Sequence, residues 1–223
     1  MIRICFSTKI LRHILLLAMG LIFLNNKNIY TKTDESIIKV QEIDRMFEKN
    51  PKYIARGFNY PVGKPKGKYY YIAQKFGTIN KNYGNLYHLG EDWNGIGGGN
   101  TDYGDTVYSI GRGLVVFADD CGKGWGNVIR IIHKIKKKSK YWYVESLYAH
   151  LKDIKVKKGE FVKRGEKIGT IGNANGLYYA HLHMEVRFKI LMPLVGGYSK
   201  VLKGYLSPLK FINANRHTKW KKR

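Results

Sequence analysis

Cysteine is almost absent from this chain, whose 223 residues include only Cys5 and Cys121. Cys5 lies in an N-terminal segment with the character of a secretory signal, so the body of the protein keeps one cysteine and cannot form an internal disulfide. A metal site built from four thiolates is excluded as well. Any bound metal ion must therefore be held by histidine and carboxylate side chains.

Acidic residues are scarce too, with 16 Asp and Glu against 40 Lys and Arg, which leaves a net charge of +24. This imbalance predicts attraction to a polyanion: nucleic acid, anionic lipid or an acidic cell-wall polymer. Charge alone does not choose among these partners. A hydrophobic content of 44% with 13% aromatic residues excludes a disordered chain and is enough to build a core.

Long apolar runs are limited to one, Ile14–Leu24, which follows several basic residues. A charged start and a short apolar centre are typical of a secretory signal, and the run is short for a membrane span. A buried core helix is the alternative. No clear small-residue cleavage site follows, so we expect residues 1–31 to be a signal peptide or an N-terminal anchor with possible membrane association. An exported protein, in the periplasm, cell envelope or extracellular space, meets wall polymers before chromosomal DNA, so nucleic acid is not an expected partner.

Residues 34–49 have the apolar spacing of an amphipathic helix. Its predicted stripe consists of Ile37, Val40, Ile43 and Phe47. We expect this short N-terminal helix to form most of a helical spacer over residues 32–57. Residues 58–77 lack a helical period and are predicted to be loop with short extended pieces leading into the main domain.

From about Tyr83 onward the pattern is β throughout, with glycine-bearing turns between short apolar runs. The predicted strands are Thr106–Ile110, Gly113–Ala118, Asn127–His133, Tyr141–Ala149, Lys167–Ile171 and Tyr179–Phe188. Many short strands at close spacing predict a mainly β fold, an antiparallel barrel/sandwich hybrid. The basic segment Lys134–Lys140 is interpreted as a solvated hairpin tip or, alternatively, as a contact with anionic wall polymer.

The strand Tyr179–Phe188 carries the first candidate site. Its residues alternate strictly between apolar and polar, as in a half-buried strand, so His181 and His183 share one face. Their Cα atoms should lie roughly 6.6 Å apart, close enough for both rings to converge on one metal ion or its water. Such a pair is weak evidence by itself.

A second cluster precedes the strands. His88 and Asp92 are four residues apart, and Gly90, Asn94 and Gly95 favour a strand end followed by a turn over a helix. Together with His183 they would supply three ligands and leave a fourth position open, the arrangement of a catalytic zinc site.

A third candidate, His150, ends a predicted strand. A lone histidine at a strand end is more often structural than catalytic. In this chain it accompanies two other histidine-containing segments.

Taken in order, these segments resemble the lysostaphin-type (LytM-like) zinc metallopeptidases of peptidoglycan. The resemblance covers residues from about 60 to 190, and 204–210 looks like that family's exit segment. Its three motifs are His-Leu-Gly-Glu-Asp at 88–92, Tyr-Ala-His-Leu at 148–151 and His-Leu-His-Met-Glu at 181–185. Two departures are minor: Met184 replaces a frequent Phe, and 175–180 lacks a Gly/Ser/Thr-rich turn, which bears on substrate preference.

The resemblance implies that His88, Asp92 and His183 hold one zinc ion and that His181 and His150 form the catalytic pair. His181 is assigned as the general base and His150 as the group that stabilises the tetrahedral intermediate, with the reverse assignment left open. Glu185 is expected to support the site indirectly or to pair with Arg187.

The expected function is therefore a monomeric zinc endopeptidase of peptidoglycan peptides, with residues 58–212 as its domain and 213–223 as a basic tail. Two alternatives remain. One is a non-catalytic wall-binding module that activates another hydrolase, against which the complete set of five residues argues. The other is a nucleic-acid-binding protein, motivated by the charge and the 17 tyrosines. The basic surface would hold the enzyme near anionic wall polymers.

Overall fold

The computed structural model describes residues 39–63 and 67–216. The predicted signal or anchor at 1–31 lies outside these residues, as do the start of the spacer and the end of the basic tail. The chain divides into two compact units, Met1–Lys49 and Asn50–Arg223. Within the described ranges, none of the helices has the length and apolarity required to span a bilayer.

Two α-helices are present in the part of the chain that the structure describes. Helix α1 covers residues 39–49 and buries Ile43 and Phe47, which confirms the amphipathic stripe where it is described. Helix α2 covers Pro208–Ala214, and the Ser207 hydroxyl caps it by accepting a hydrogen bond from the Lys210 amide at 3.3 Å. Single 3-10 turns occupy Pro51–Tyr53 and Lys81–Tyr83.

Most of the regular structure in residues 39–63 and 67–216 is β, as predicted. The strands are β1 Tyr70–Gln74, β2 Ile79–Asn80, β3 Leu86–His88, β4 Glu91–Gly95, β5 Thr106–Tyr108, β6 Gly113–Asp120, β7 Asn127–Lys137, β8 Lys140–Ile154, β9 Phe161–Val162, β10 Lys167–Ile171, β11 Leu182–Arg187, β12 Tyr198–Ser199 and β13 Tyr205–Leu206. All pairs between these strands are antiparallel.

Ten of the strands form one sheet, in which the order β1-β4-β11-β8-β7-β6-β9 is extended by β5, β10 and β13. Strands β12, β3 and β2 form a second, three-stranded sheet. In the described part of the chain neither sheet closes on itself, because the terminal strands of each path do not pair with one another. The mainly β, antiparallel prediction is thus confirmed, whereas a closed barrel is not formed.

Strand β11 is buried on both faces, so the prediction of a half-buried strand is wrong. The side chains of Leu182, Met184 and Val186 enter the main core, as the alternation predicts. The opposite face is covered by the chain that follows, since Leu191 donates its amide proton to a β8 carboxylate at 2.8 Å. The predicted apolar stripe also stops early: Phe188 lies beyond the strand and is 52% exposed.

The β7–β8 hairpin is longer than predicted. Both strands run through the basic segment, and the turn is confined to Lys138 and Ser139. Lys134 is only 4% exposed, and its Nζ lies 4.5 Å from the ring centroid of Tyr141. The prediction that Lys134 lies in a solvated tip is therefore wrong, and a cation–π contact with Tyr141 helps to stabilise its buried side chain.

Candidate metal centre and active site

Asp92 and His183 meet because their strands are neighbours. They are direct register partners between β4 and β11, so their side chains leave the same face of the sheet. The Oδ1 atom of Asp92 lies 2.9 Å from Nδ1 of His183. Both belong to the face covered by the later chain, which keeps His183 at 4% exposure.

His88 reaches the pair from the second sheet. It ends β3, and the chain crosses through Leu89 and Gly90 into β4. Its Nε2 lies 3.1 Å from Nδ1 of His183 and 3.3 Å from Oδ1 of Asp92. The crossing requires Gly90, because a Cβ there would collide with the Met184 carbonyl and lie 2.9 Å from the His183 ring.

His150 joins the cleft through a bulge in β8, where the register with β7 shifts. Strict alternation would send its side chain to the core with Tyr148. Instead His150 has a left-handed backbone with φ of 60° and follows Ala149 to the cleft side, while Leu151 returns to the core. The prediction that the strand ends at His150 is therefore wrong, since β8 continues to Ile154.

Backbone carbonyls orient both catalytic candidates. The Trp125 carbonyl accepts hydrogen bonds from the His150 amide at 3.0 Å and from its Nδ1 at 3.3 Å. The Tyr179 carbonyl accepts from Nδ1 of His181 at 2.8 Å. A carbonyl can only accept, so Nδ1 of each neutral ring carries the proton and Nε2 is left as an acceptor. The two ring centroids are 4.7 Å apart.

A buried charge network lies beneath His183. Its Nε2 donates to Oε1 of Glu185 at 3.2 Å, which leaves Nδ1 directed at Asp92. Arg187 pairs with Glu185 at 2.6 Å and with Glu145 at 3.4 Å, and Arg130 pairs with Glu145 at 2.7 Å. Glu145, Glu185 and Arg187 are fully buried. The expected ion pair between Glu185 and Arg187 is present. The participation of Glu145 was not predicted, because this residue comes from another strand, β8, and no local pattern links it to Arg187.

The surroundings shift the pKa values of the site. Burial alone would raise the pKa of Asp92, but hydrogen bonds from His183 and His88 outweigh it and hold that pKa well below its usual range. Burial lowers the pKa of His183, yet its bonds to Asp92 and Glu185 raise it to about 9. Burial, reinforced by the neighbouring histidines, lowers the pKa of His150, which favours its neutral ring.

The five predicted residues line one open cleft of about 560 Å³. Its walls are largely aromatic: Tyr83 stacks on Tyr198 with centroids 4.2 Å apart, and Trp125 and Tyr178 also line it. The aromatic walls were not predicted, because Tyr83, Trp125, Tyr178 and Tyr198 come from segments far apart in the sequence.

His88, Asp92 and His183 fit a zinc ion by donor type and by spacing. Two imidazole nitrogens and one carboxylate oxygen form a ligand set of a catalytic zinc site. Their ligand atoms are separated by 2.9 to 3.3 Å. With bonds of about 2.0–2.1 Å, tetrahedral zinc ligands lie roughly 3.3 Å apart.

Comparison with known proteins identifies the family of this chain. The profile of peptidase family M23 matches residues 88–192, which begin at His88 and include Asp92, His150, His181 and His183. The lipoprotein NlpD of Yersinia enterocolitica is 35% identical over 86 residues, 39% of this chain and 80% of that relative. The chain belongs to peptidase family M23.

Other members of the M23 family differ in what their names say they do. Peptidoglycan DD-endopeptidase ShyB of Vibrio cholerae is 34% identical over 149 residues, which are 65% of this chain and 31% of ShyB. The NlpD protein of Salmonella dublin, 35% identical over 39% of this chain and 21% of its own length, is named a murein hydrolase activator. The chain thus spans about a third or less of these two relatives.

The M23 fold is also seen in a solved structure. The antimicrobial peptidase lysostaphin from Staphylococcus simulans superposes with a TM-score of 0.50 at 20% identity, covering 74% of this chain and 58% of lysostaphin. At this identity the likeness shows the fold alone.

Proposed function

We propose that this M23 protein is a zinc-dependent endopeptidase that hydrolyses the cross-link or stem peptides of bacterial peptidoglycan. The observation that carries the proposal is the convergence of His88, Asp92 and His183 beside two further histidines in one open cleft. The name of ShyB, a peptidoglycan endopeptidase, supports the substrate class.

His88, Asp92 and His183 would hold the zinc ion. When bound, zinc supplies a Lewis acid that polarises the scissile carbonyl and makes water acidic enough to attack near neutral pH. Glu185 fixes the tautomer of His183, because Nε2 donates to its carboxylate and Nδ1 remains for the metal. The buried Arg187 holds that carboxylate in place.

His181 and His150 would handle the protons. We assign His181 as the general base because its Nε2, the acceptor of the neutral ring, lies 3.8 Å from Oδ1 of Asp92 and so beside the ligand set. His150 stabilises the tetrahedral intermediate once negative charge develops next to it and favours its protonated form. The Trp125 carbonyl orients His150 for this role.

The same proposal places the protein outside the cytoplasm, as an exported monomer acting on the wall. Its net charge of +24 would concentrate it on anionic wall polymers.

A second candidate function is activation of another wall hydrolase without catalysis. The name of the Salmonella NlpD protein favours it. The two functions differ in whether the bound zinc hydrolyses peptide bonds.

The test is incubation of the full chain, loaded with zinc, with purified peptidoglycan of several wall types, followed by mass spectrometry of the released fragments. We expect peptide release that a chelator abolishes. His183→Ala should lose zinc and activity, whereas His150→Ala and His181→Ala should keep zinc and lose activity. His133→Gln, outside the cleft, is the matched control and should keep both. Full zinc occupancy without release from any wall type would overturn the peptidase proposal in favour of the activator.

A further inference from the structure

The active-site cleft has an uneven charge distribution. Apart from the five site residues, its described lining consists of tyrosine, tryptophan, glutamine, asparagine, glycine and a single lysine, Lys123. Burial and a hydrogen bond with Tyr83 raise the pKa of Tyr178 to about 12, so the Tyr178 hydroxyl carries no charge near pH 7. Lys123 is therefore the cationic side chain that a ligand in this cleft meets besides the metal site.

The backbone holds Lys123 at a defined place. It lies on the turn between β6 and β7, with φ of 45°, and the turn is closed by hydrogen bonds from Trp125 to Gly122 at 3.1 Å and from Cys121 to Gly126 at 2.9 Å. The same Trp125 donates from its amide to the turn and accepts from His150 through its carbonyl. The same hydrogen-bonded turn thus carries Lys123 and contacts His150.

The charge of Lys123 is not neutralised within the described residues. The nearest acidic residues in sequence are engaged locally: Oδ1 of Asp120 accepts from the Gly122 amide and Oδ1 of Asp119 from the Asp120 amide, each at 2.8 Å. No carboxylate of the described chain lies within 4 Å of the lysine nitrogen. The ammonium group remains available to a ligand.

We propose that Lys123 determines specificity by binding a free carboxylate of the substrate, so that the preferred substrates are peptides with a free carboxylate close to the cleaved bond. This inference rests on the proposed peptidase function. An aromatic cleft with one convergent cation is a typical arrangement for orienting a ligand that carries a single anionic group. A charge-assisted hydrogen bond is stronger than a neutral one, so replacing the carboxylate by an amide should be costly.

The test uses two synthetic cross-link peptides that differ only in carrying a free carboxylate or the corresponding carboxamide next to the scissile bond. The zinc-loaded full chain should prefer the carboxylate by about tenfold in kcat/KM, the factor expected from one such bond. Lys123→Gln should abolish the preference, mainly through KM, and leave the amide peptide unaffected. Lys123→Arg should retain it.

Lys158→Gln is the matched control, because Lys158 is an exposed lysine outside the cleft lining. It should leave the preference unchanged. An equal loss on both peptides in Lys123→Gln, an unchanged preference, or the same effect in Lys158→Gln would overturn the assignment.

If the wild type cleaves neither peptide, release from whole peptidoglycan decides the peptidase function, and calorimetric binding of the same two peptides to the zinc-loaded protein decides the role of Lys123. A carboxylate preference in Kd that is lost in Lys123→Gln would support it. Equal affinities would refute it.

Discussion

Replacing Glu185 by leucine should weaken zinc binding and destabilise the fold, and the two effects can be separated. Glu185 has two partners: it accepts from Nε2 of His183 at 3.2 Å and pairs with Arg187 at 2.6 Å. Both acidic residues of the network and Arg187 are fully buried, so no solvent screens a charge left without its partner. Leucine removes both interactions while keeping a side chain of similar volume.

The magnitudes follow from this geometry. Glu185→Leu leaves Arg187 with one longer ion pair, to Glu145 at 3.4 Å, and a hydrogen bond to the Met192 carbonyl at 3.4 Å. Breaking a buried ion pair costs about 3–5 kcal/mol. Losing the partner that orients His183 should lower zinc affinity by about 10- to 100-fold. In the double variant Glu185→Leu/Arg187→Met, the Glu145 carboxylate keeps its ion pair with Arg130 at 2.7 Å, so no buried charge is left without a partner. Most of the stability should therefore return, while zinc affinity stays low.

Urea unfolding of the metal-free variants measures stability, and competition with a chromophoric chelator measures zinc affinity. The reasoning is refuted if zinc affinity recovers together with stability in the double variant, or if the double variant is as unstable as the sum of the single ones. A normal zinc affinity in Glu185→Leu would show that the carboxylate does not orient His183.

Three further predictions concern other parts of the molecule. Gly90→Ala should lower zinc affinity at least tenfold in chelator competition, because the added methyl group would meet the Met184 carbonyl and the His183 ring; unchanged affinity would mean the crossing can relax. Burial lowers the pKa of His133 from about 6.5 in the unfolded chain to about 4, so the unfolded state binds more protons between these values and stability should fall by about 3 kcal/mol as the pH drops through this window. Urea unfolding of His133→Gln should show a flatter pH profile, and parallel profiles would contradict the reasoning. Co-sedimentation with isolated walls should decrease severalfold from about 50 mM to about 500 mM NaCl because salt screens the net charge of +24, and salt-independent pelleting would exclude electrostatic retention.

Local sequence patterns predicted the elements whose contacts are regular. The apolar alternation around residues 182–187 predicted strand β11, and the glycine-bearing turns predicted strand β7. Strand β10 has the predicted bounds, Lys167–Ile171. Strand β1 was anticipated only as an unassigned extended piece within residues 58–77, because its five residues lie in a stretch rich in Gly, Pro and Lys. The limits of β7 and β8 were set too short because a run of lysines resembles a turn, whereas their pairing extends to Lys137 and Lys140.

The sequence by itself determined which residue types are available for the site. It placed His181 and His183 on one face of the predicted strand Tyr179–Phe188, excluded a thiolate metal site, and supplied His88 and Asp92 beside a glycine that permits a tight crossing. These features depend on residues that are close together in the sequence, so periodicity and composition are enough to predict them.

Only the tertiary structure decided how these residues meet. The bulge that turns His150 to the cleft depends on the Trp125 carbonyl, 25 residues away. The burial of Arg187 depends on Glu145, which is 42 residues away on the neighbouring strand. His88 lies in a different sheet from His183, and they approach only because the chain crosses between sheets at Gly90. Such contacts arise from pairing between distant segments, which no local period encodes.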